Sequence, residues 1–436
     1  MAEPLVILQS RQDDWLRGID RQTLVHLAED RYQAIVQHPK KYPTILISER
    51  DPLYFLAGFI AASTAHCPVF LANSGWTESE WQQVFQQVNP DLIWGITPPN
   101  LLQIELPPTT PGWIMIPTGG SSGKVRFVIH TYETLSFSVM GFYEYFQVEK
   151  VSSFCVLPLY HVSGLMQFLR SLLTKGKFVI SSCKSLDFIS IDPSEFFLSL
   201  VPTQLQRLLQ SASSQLSQFQ TVLLGGAPAW AELLEIARQQ QIQLAPTYGM
   251  TETASQIATL KPKDFLQGKT GCGQVLPHAQ LTIAENGAIA IQARSLALGY
   301  YPHLFSTPLF QTDDLGYFDA ANYLHIIGRN SQKIITGGEN VFPAEVEAAI
   351  RASGLVRDVY VLGLAEPHWG EMITVVYVPV NVKVTVLMIQ FFLNQALSKY
   401  KHPKQWICVE KLPRNEQGKI NDTLIRTKLL SFQQNS

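Results

Sequence analysis

Residues 222–245 read VLLGGAPAWAELLEIARQQQIQLA, and this stretch decides the fold class. Val222-Leu-Leu is an apolar run typical of a buried strand, and Gly225-Gly226-Ala227-Pro228 ends it. Trp230–Gln240 has helical character, and Ile242–Ala245 is a second short strand. The order strand, helix, strand predicts a βαβ unit in a largely parallel sheet, with ligands bound beyond the carboxyl ends of the strands.

The flanking sequence extends this α/β pattern. We predict helices over Gln22–Gln37 and Thr77–Val88 and a strand over Thr44–Ser48. Asn286-Gly287 lies between alternating apolar runs within residues 280–293, which predicts a β-hairpin. The N-terminal domain, residues 1–328, is therefore expected to combine parallel-rich sheets and helices with a small β subdomain.

The pattern changes at Arg329-Asn330-Ser331, where we place the domain boundary. A smaller α+β domain, residues 329–436, is expected beyond it. Its predicted elements are the helices Pro343–Ser353 and Val384–Tyr400 and the strands Val359–Gly363, Met372–Val378 and Gln405–Val409.

Composition excludes several classes of protein. The chain has 436 residues, 46% of them apolar and 16% charged, with a formal net charge of −2, so it lacks the basic excess of nucleic-acid-binding proteins. Its five cysteines show no CxxC spacing, which disfavours disulfides and cysteine-based zinc sites. The first residues do not resemble a signal peptide, and the apolar stretch Phe55–Ala62 is too short to span a bilayer. We expect a cytoplasmic protein without stable membrane insertion.

A glycine-rich segment, Pro117-Thr-Gly-Gly-Ser-Ser-Gly-Lys124, has the composition of a phosphate-binding loop. Its backbone N–H groups can surround a polyphosphate, and the hydroxyls and lysine add contacts. It is not a Walker A loop, because Gly119 and Gly123 are one residue too close and Val125 replaces the required Ser or Thr. For this run alone, a surface turn is the alternative.

Thr247-Tyr-Gly-Met-Thr-Glu-Thr253 follows the second predicted strand. Glu252 offers a carboxylate for Mg²⁺ beside phosphates, and Tyr248 offers an aromatic face for a base. Capping of a helix start by Thr251 explains the segment equally well.

Three further segments predict a function only weakly when each is considered alone. Thr312-Asp-Asp-Leu-Gly316 could bind a ribose diol or form a turn, and Lys333–Pro343 contains a glycine pair that allows close backbone approach or a plain hairpin. Pro413–Lys419 ends in a lysine that would ordinarily be a solvated surface charge.

The order of these segments resembles the adenylate-forming superfamily, which contains acyl-CoA synthetases and adenylation domains, from about Pro90 to Lys419. The resemblance implies ATP and CoA as co-substrates, Mg²⁺ as cofactor and an acyl-adenylate intermediate. It implies that nucleotide contacts come from Thr118, Gly120, Ser121, Ser122, Gly123, Lys124, Gly225, Gly226, Ala227, Pro228, Thr247, Tyr248, Gly249, Met250, Asp314 and Arg329.

The same resemblance implies catalytic roles. Thr251 would contact the α-phosphate, Glu252 would bind Mg²⁺, and Lys419 would catalyse adenylation. The C-terminal domain would be mobile about a hinge at Ser331, bringing Gly337-Gly338 to the thiol of CoA.

Five positions depart from the family pattern. Gly119 stands where Ser is usual, and Val125-Arg126 stands where Pro-Lys is usual. Asp313 occupies a glycine position, and Ser331 stands where many relatives have Asp.

The segment Pro158–Arg170 is similar to the His-Val-Ser-Gly region of o-succinylbenzoate–CoA ligases of menaquinone and phylloquinone biosynthesis. The resemblance assigns His161 a catalytic and acyl-binding role and implies that Arg170 holds a second substrate carboxylate. A core histidine and a surface ion pair are the respective alternatives. The implied acyl-substrate contacts are His161, Ser163, Gly164 and Arg170.

Other functions remain open at this point. The acid could be a different aromatic or aliphatic one, or the acceptor could be a carrier-protein thiol. A nucleotide-binding protein without catalysis is a further alternative, which the retained Glu252 and Lys419 disfavour. The sequence leaves a homodimer open.

Overall fold

The computed structural model describes residues 3–96, 107–119, 125–181, 191–414 and 420–433. The α-helices are α1 Pro4–Ser10, α2 Arg21–Val36, α3 Pro52–Thr64, α4 Glu78–Phe85, α5 Tyr132–Phe146, α6 Val162–Leu173, α7 Pro202–Ser211, α8 Ser213–Leu216, α9 Ala231–Gln239, α10 Pro262–Leu266, α11 Pro343–Ala352, α12 Val386–Ala396 and α13 Asp422–Gln433. Short 3₁₀ turns cover Pro193–Glu195, Thr251–Thr253, Asn330–Gln332 and Lys399–Lys401.

The strands of the N-terminal domain are β1 Leu16–Arg17, β2 Ile45–Ser48, β3 Val69–Leu71, β4 Leu92–Gly95, β5 Trp113–Gly119, β6 Val125–Thr131, β7 Ser152–Cys155, β8 Phe178–Ile180, β9 Phe196–Leu200, β10 Thr221–Leu224, β11 Leu244–Met250, β12 Ser255–Thr259, β13 Gln274–Val275, β14 Ala279–Ile283, β15 Ala288–Ala293, β16 Gly299–Tyr300, β17 His303–Leu304, β18 Phe310–Phe318 and β19 Leu324–Arg329. Those of the C-terminal domain are β20 Ile334–Thr336, β21 Glu339–Val341, β22 Val356–Glu366, β23 Gly370–Pro379 and β24 Gln405–Cys408.

The βαβ prediction is confirmed by the larger sheet, whose strand order is β1-β8-β7-β9-β10-β11-β12-β13. Pairing is parallel from β1 to β11, while β12 and β13 are antiparallel. Helix α9 connects β10 to β11. The second predicted strand is longer than expected, because residues 247–250 continue β11 and pair with β12. The predicted nucleotide segment therefore lies in the strand and not in a loop after it.

A second sheet has the order β17-β16-β6-β5-β3-β2-β4 and carries the predicted strand near residue 45. The predicted helix near residue 77 is α4, and it begins with a capping box in which Thr77 and Glu80 satisfy each other's backbone N–H groups. It ends at Phe85, three residues earlier than expected.

The predicted hairpin is confirmed by β14 and β15, which belong to a four-stranded sheet of order β14-β15-β18-β19. Gly287 in its turn has φ +83°, a conformation that glycine adopts without a steric penalty. This sheet brings Asp314 on β18 to Arg329 at the end of β19.

The C-terminal domain is a separate sheet, β21-β20-β23-β22 with β24 on β23, covered by α11 and α12. Its apolar core includes Ile334, Val346, Val375 and Leu393. The second predicted helix is shorter than expected, since α12 ends at Ala396. We propose the domain boundary at residues 329–331, because β19 ends there and a single 3₁₀ turn leads to β20.

Within the described ranges, none of the helices has the length and hydropathy needed to cross a membrane. Cys67, Cys155, Cys272 and Cys408 are free thiols, and Cys183 lies outside the described residues.

Candidate active site

The predicted phosphate loop connects two antiparallel strands. Thr118 pairs with Arg126 and Gly119 pairs with Val125, so the β5–β6 ladder fixes both ends of the loop. The predicted contacts within the loop lie outside the described residues: Gly120, Ser121, Ser122, Gly123 and Lys124.

The glycine loop after β10 lies directly beside β11. Thr247 donates its hydroxyl hydrogen to the carbonyl oxygen of Leu224 at 3.2 Å. A Cβ on Gly225 would lie only 2.6 Å from that hydroxyl oxygen, so glycine is needed for this approach. The two predicted nucleotide segments, 225–228 and 247–250, therefore form one edge of the larger sheet.

Tyr248, Asp314 and Arg329 come together from three different strands. The Tyr248 hydroxyl donates to Asp314 Oδ2 at 2.7 Å, and Arg329 Nε donates to Asp314 Oδ1 at 3.2 Å. Burial and the adjacent carboxylate raise the pKa of Tyr248, so it remains a hydrogen-bond donor at neutral pH. The turn alternative for 312–316 is wrong, because Asp314 lies inside β18. Adenine stacking on Tyr248 and ribose binding by Asp314 stay predictions.

Glu252 is 8% exposed and accepts a hydrogen bond from Tyr300 at 2.5 Å. Arg126 stacks on the Tyr300 ring, with its guanidinium carbon 4.7 Å from the ring centroid. In the described part of the chain no three His, Cys, Asp or Glu side chains form a metal site of their own. A single carboxylate fits Mg²⁺ that takes its other ligands from phosphates and water.

Sequence motifs did not point to two residues of this region, Tyr300 and His130. The His130 Nε2–H donates to the carbonyl oxygen of Thr251 at 2.7 Å, and its Nδ1 lies 3.0 Å from the Thr134 hydroxyl. Burial lowers the pKa of His130 to about 4, so the ring is neutral at pH 7 and fixes the backbone before Glu252.

Arg170 lies on α6, which begins at Val162. The surface ion-pair alternative is wrong, because Arg170 is only 3% exposed. Its Nη2 donates to Ser255 Oγ at 2.8 Å and to Gln256 Oε1 at 2.9 Å, and its guanidinium carbon lies 4.2 Å from the Phe142 ring centroid. Burial lowers its pKa to about 9, which leaves it charged at pH 7.

The start of α6 carries the other predicted acyl contacts. His161 is the N-cap residue, and its ring centroid lies 4.3 Å from that of Tyr160. Gly164 is required by packing, since a Cβ there would lie 2.1 Å from the carbonyl oxygen of Pro158. Ser163 is exposed and accepts, through its carbonyl oxygen, a hydrogen bond from Gln167. Their contacts with a substrate stay predictions.

The predicted hinge is tied to one of the unusual positions. Asp313 accepts a hydrogen bond from the Ser331 backbone N–H at 3.0 Å and another from the Ser331 hydroxyl. These bonds join β18 of the N-terminal domain to the 3₁₀ turn that begins the C-terminal domain. They stabilise the observed backbone at the predicted hinge.

Asp313→Gly is expected to change the ratio of the rates of the two half-reactions by up to about tenfold, because about 1.4 kcal/mol favouring one domain orientation is removed. Single-turnover measurements of adenylation and of thioester formation would show this. Asp313→Asn, which keeps an acceptor oxygen, is the matched control. An unchanged ratio in Asp313→Gly would contradict a role at the hinge.

Gly337 and Gly338 form the turn of the β20–β21 hairpin, with φ +59° and +83°. The hairpin alternative is therefore confirmed, and CoA binding there stays a prediction. Lys419 lies outside the described residues, but Arg414 and Ile420 pair as an antiparallel bridge at the two ends of that segment. Arg414 also contacts Asp358 at 2.7 Å.

The predicted nucleotide segments meet at one edge of the larger sheet, and a smaller second domain follows them along the chain. This arrangement is that of adenylate-forming proteins. The chain belongs to the AMP-binding enzyme family. The model of that family matches residues 103–301, and the model of its C-terminal domain matches residues 345–419.

Curated relatives of this chain include enzymes named 2-succinylbenzoate–CoA ligase. The 2-succinylbenzoate–CoA ligase of Listeria monocytogenes is 34% identical over 322 residues, covering 71% of this chain and 69% of the relative. The enzyme of the same name from Bacillus subtilis is 27% identical over 374 residues, covering 80% and 76%.

Solved structures share the fold. The o-succinylbenzoate CoA synthetase of Bacillus subtilis in complex with its acyl-adenylate intermediate has a TM-score of 0.83 at 23% identity, over 98% of each chain. ATP-bound MatB of Rhodopseudomonas palustris has a TM-score of 0.82 at 20% identity, again over 98% of each chain. The predicted α/β fold with a large N-terminal and a smaller C-terminal domain is confirmed.

Proposed function

We propose that this protein is an ATP-dependent 2-succinylbenzoate–CoA ligase that acts in menaquinone or phylloquinone biosynthesis. It uses ATP and CoA as co-substrates and Mg²⁺ as cofactor, and it releases AMP and pyrophosphate. Support comes from the 34% identity to a relative of that name and from a buried cation at the predicted acyl site.

In the first half-reaction a substrate carboxylate oxygen attacks the α-phosphorus of ATP. The new bond between that carboxylate oxygen and phosphorus replaces the bond from phosphorus to pyrophosphate. Both reactants are anions, so cations at the site lower the barrier. Glu252 would hold Mg²⁺, which when bound neutralises phosphate charge. Lys419 supplies a second cation, and Tyr248, Asp314 and Arg329 position the nucleoside.

In the second half-reaction the CoA sulfur, after losing its proton, attacks the adenylate carbonyl carbon. The thioester forms and AMP leaves with the electrons of the broken bond. The C-terminal domain rotates about Ser331 between the two steps, and Gly337-Gly338 approach the thiol. The positive φ values of both glycines give a turn with no side chain, which suits a narrow thiol channel.

Arg170 is the single observation that carries the choice of acid. It is buried and charged, and the described residues form no salt bridge to it. An uncompensated buried cation is costly, so an anionic ligand group is favoured beside it. A monocarboxylic acid would use its one carboxylate at the phosphate and leave Arg170 unpaired. A dicarboxylic acid can occupy both places.

The proposal is tested by a substrate panel with ATP, Mg²⁺ and CoA, analysed by mass spectrometry for CoA thioesters. The panel contains o-succinylbenzoate, benzoate, 4-coumarate and fatty acids. We expect o-succinylbenzoyl-CoA to dominate. Turnover of another acid would retain ligase chemistry and reject the proposed acid. Adenylate without thioester would point to a carrier-protein acceptor.

Arg170→Met is expected to lower kcat/KM for o-succinylbenzoate by about 10²-fold, because losing one partner of a buried charge pair costs about 2–5 kcal/mol. Activity with 4-oxo-4-phenylbutanoate, which lacks the ring carboxylate, should change less than about threefold. Steady-state kinetics with both acids measures this difference. Arg170→Lys is the control, since it keeps the charge. Equal losses with both acids would reject the carboxylate role.

The proposal includes a cytoplasmic location and partners limited to small-molecule substrates. Fractionation of cells expressing the chain tests the location. A homodimer is the alternative to a monomer, and light scattering on the purified protein distinguishes the two.

A further inference from the structure

Polar atoms without partners cluster beside Arg170. Among the described residues, no hydrogen-bond partner exists for Arg170 Nε, for Gln256 Nε2, or for either ring nitrogen of His278. All three side chains are buried, with exposed fractions of 3%, 6% and 9%. Buried donors normally have partners, so several unmet donors in one place indicate a missing acceptor.

His278 lies beside Arg170 because both pack on neighbouring residues of α5. An ideal Cβ at Gly141 would lie 1.7 Å from His278 Nδ1, so the imidazole occupies the space that this glycine leaves. The next residue, Phe142, stacks under the Arg170 guanidinium. A glycine inside a helix is unfavourable, and here its function is to make room for the ring.

The backbone around His278 holds the ring in this position. Leu276 donates its N–H to the carbonyl oxygen of Ile257 on β12, and Arg294 donates its N–H to the carbonyl oxygen of His278. Gln256, which contacts Arg170, is the neighbour of Ile257. The three polar side chains therefore come from α6, β12 and the turn before β14, and they meet at one place.

The chemistry of the unmet groups is that of an anion site. Burial and the charge of Arg170 lower the pKa of His278 to about 4, so the ring is neutral and offers one N–H donor. Arg170 Nε and the Gln256 amide add further donors. None of the salt bridges among the described residues brings a carboxylate to Arg170. A carboxylate, with four lone pairs on two oxygens, can accept from all three groups.

We propose that His278 is a specificity-determining residue that, together with Gln256 and Arg170, holds the second carboxylate of a dicarboxylic substrate. This inference rests on the proposed function and deepens it. Arg170 supplies the charge, while His278 and Gln256 supply neutral donors that fix the carboxylate orientation. Gly141 is a positioning residue, because any side chain there displaces the imidazole.

The test compares His278→Phe, which keeps a ring without an N–H, with His278→Gln, which keeps a donor. For His278→Phe, KM for o-succinylbenzoate is expected to rise about tenfold with kcat within about threefold. KM for 4-oxo-4-phenylbutanoate and for ATP should stay unchanged in both variants. His278→Gln should recover most of the lost affinity for o-succinylbenzoate.

Gly141→Ala provides an independent measurement, because it displaces the ring without removing it. It should reproduce the selective rise in KM for o-succinylbenzoate, and it carries the test if His278→Phe does not fold. If KM changes equally for both acids, or for neither, His278 does not have the proposed role. In that case, turnover of o-succinylbenzoate by the wild-type enzyme would still support the proposed function. Failure of the wild type to use o-succinylbenzoate would overturn both.

Discussion

Lys419→Ala is expected to slow acyl-adenylate formation by about 10²–10³-fold while leaving thioester formation from a supplied adenylate nearly unchanged. The first half-reaction joins two anions, and the lysine is proposed to remove part of their repulsion. The second half-reaction forms no new bond to phosphorus, so it does not need that charge. Arg414 and Ile420, which flank the segment that carries Lys419 in the sequence, pair as an antiparallel bridge.

Two assays separate these half-reactions. Pyrophosphate release with ATP and acid measures the first, and thioester formation from synthetic o-succinylbenzoyl-AMP and CoA measures the second. Lys411→Ala, an exposed lysine of the same domain, is the matched control. Equal losses in both half-reactions would reject the proposal that Lys419 acts in adenylation and not in thioester formation.

Local elements could be predicted because their signals are local. The strand, glycine loop and helix near residue 222 follow from apolar runs and turn residues, and the structure contains them as β10 and α9. The extent of β11 could not be predicted. Residues 247–250 are partly polar and include a glycine, and they become strand because β12 pairs with them.

Individual side chains at the site were harder to predict than elements. Tyr300 contacts Glu252 from 48 positions away, and His130 contacts Thr251 from 121 positions away. Neither residue lies in a spacing that signals chemistry, so only the folded chain brings them to the nucleotide segment. His278 likewise could not be identified from the sequence, because the position of its ring depends on Gly141 in the distant helix α5.

At the predicted hinge, two positions that look independent in the sequence contact each other in the structure. Asp313 and Ser331 each depart from the family pattern, and the sequence gives no reason to connect them. The structure joins them by hydrogen bonds from the Ser331 backbone and hydroxyl to Asp313. The chain thus has a carboxylate next to position 331 that is supplied by Asp313 on β18 and not by residue 331 itself.

The acyl site was predicted in part. The motif identified Arg170, and the resemblance suggested a carboxylate partner. Whether this arginine was buried depended on which face of α6 packs inward, and that face is set by α5 and β12. The sequence therefore left the surface alternative open until the contacts with Ser255 and Gln256 were known.

Glu252→Gln is expected to lower the rate of adenylation by about 10²–10³-fold, because it removes the one negative charge proposed to hold Mg²⁺ against the phosphates. The substitution preserves volume, and the amide oxygen can still accept the hydrogen bond from Tyr300, so the fold should be unaffected. Pyrophosphate release measured as a function of Mg²⁺ concentration tests this, with the loss partly recovered at high Mg²⁺.

Glu285→Gln, which removes an exposed carboxylate from the β14–β15 turn, is the matched control for charge. A Glu252→Gln enzyme with wild-type rates at every Mg²⁺ concentration would exclude this carboxylate as the metal ligand. A large loss that Mg²⁺ does not relieve would instead indicate that Glu252 acts through Tyr300, which donates a hydrogen bond to it, and through Arg126, which stacks on the Tyr300 ring. The described residues form no cluster of three or more side chains suited to a metal, so the dependence on Mg²⁺ distinguishes these two roles of Glu252.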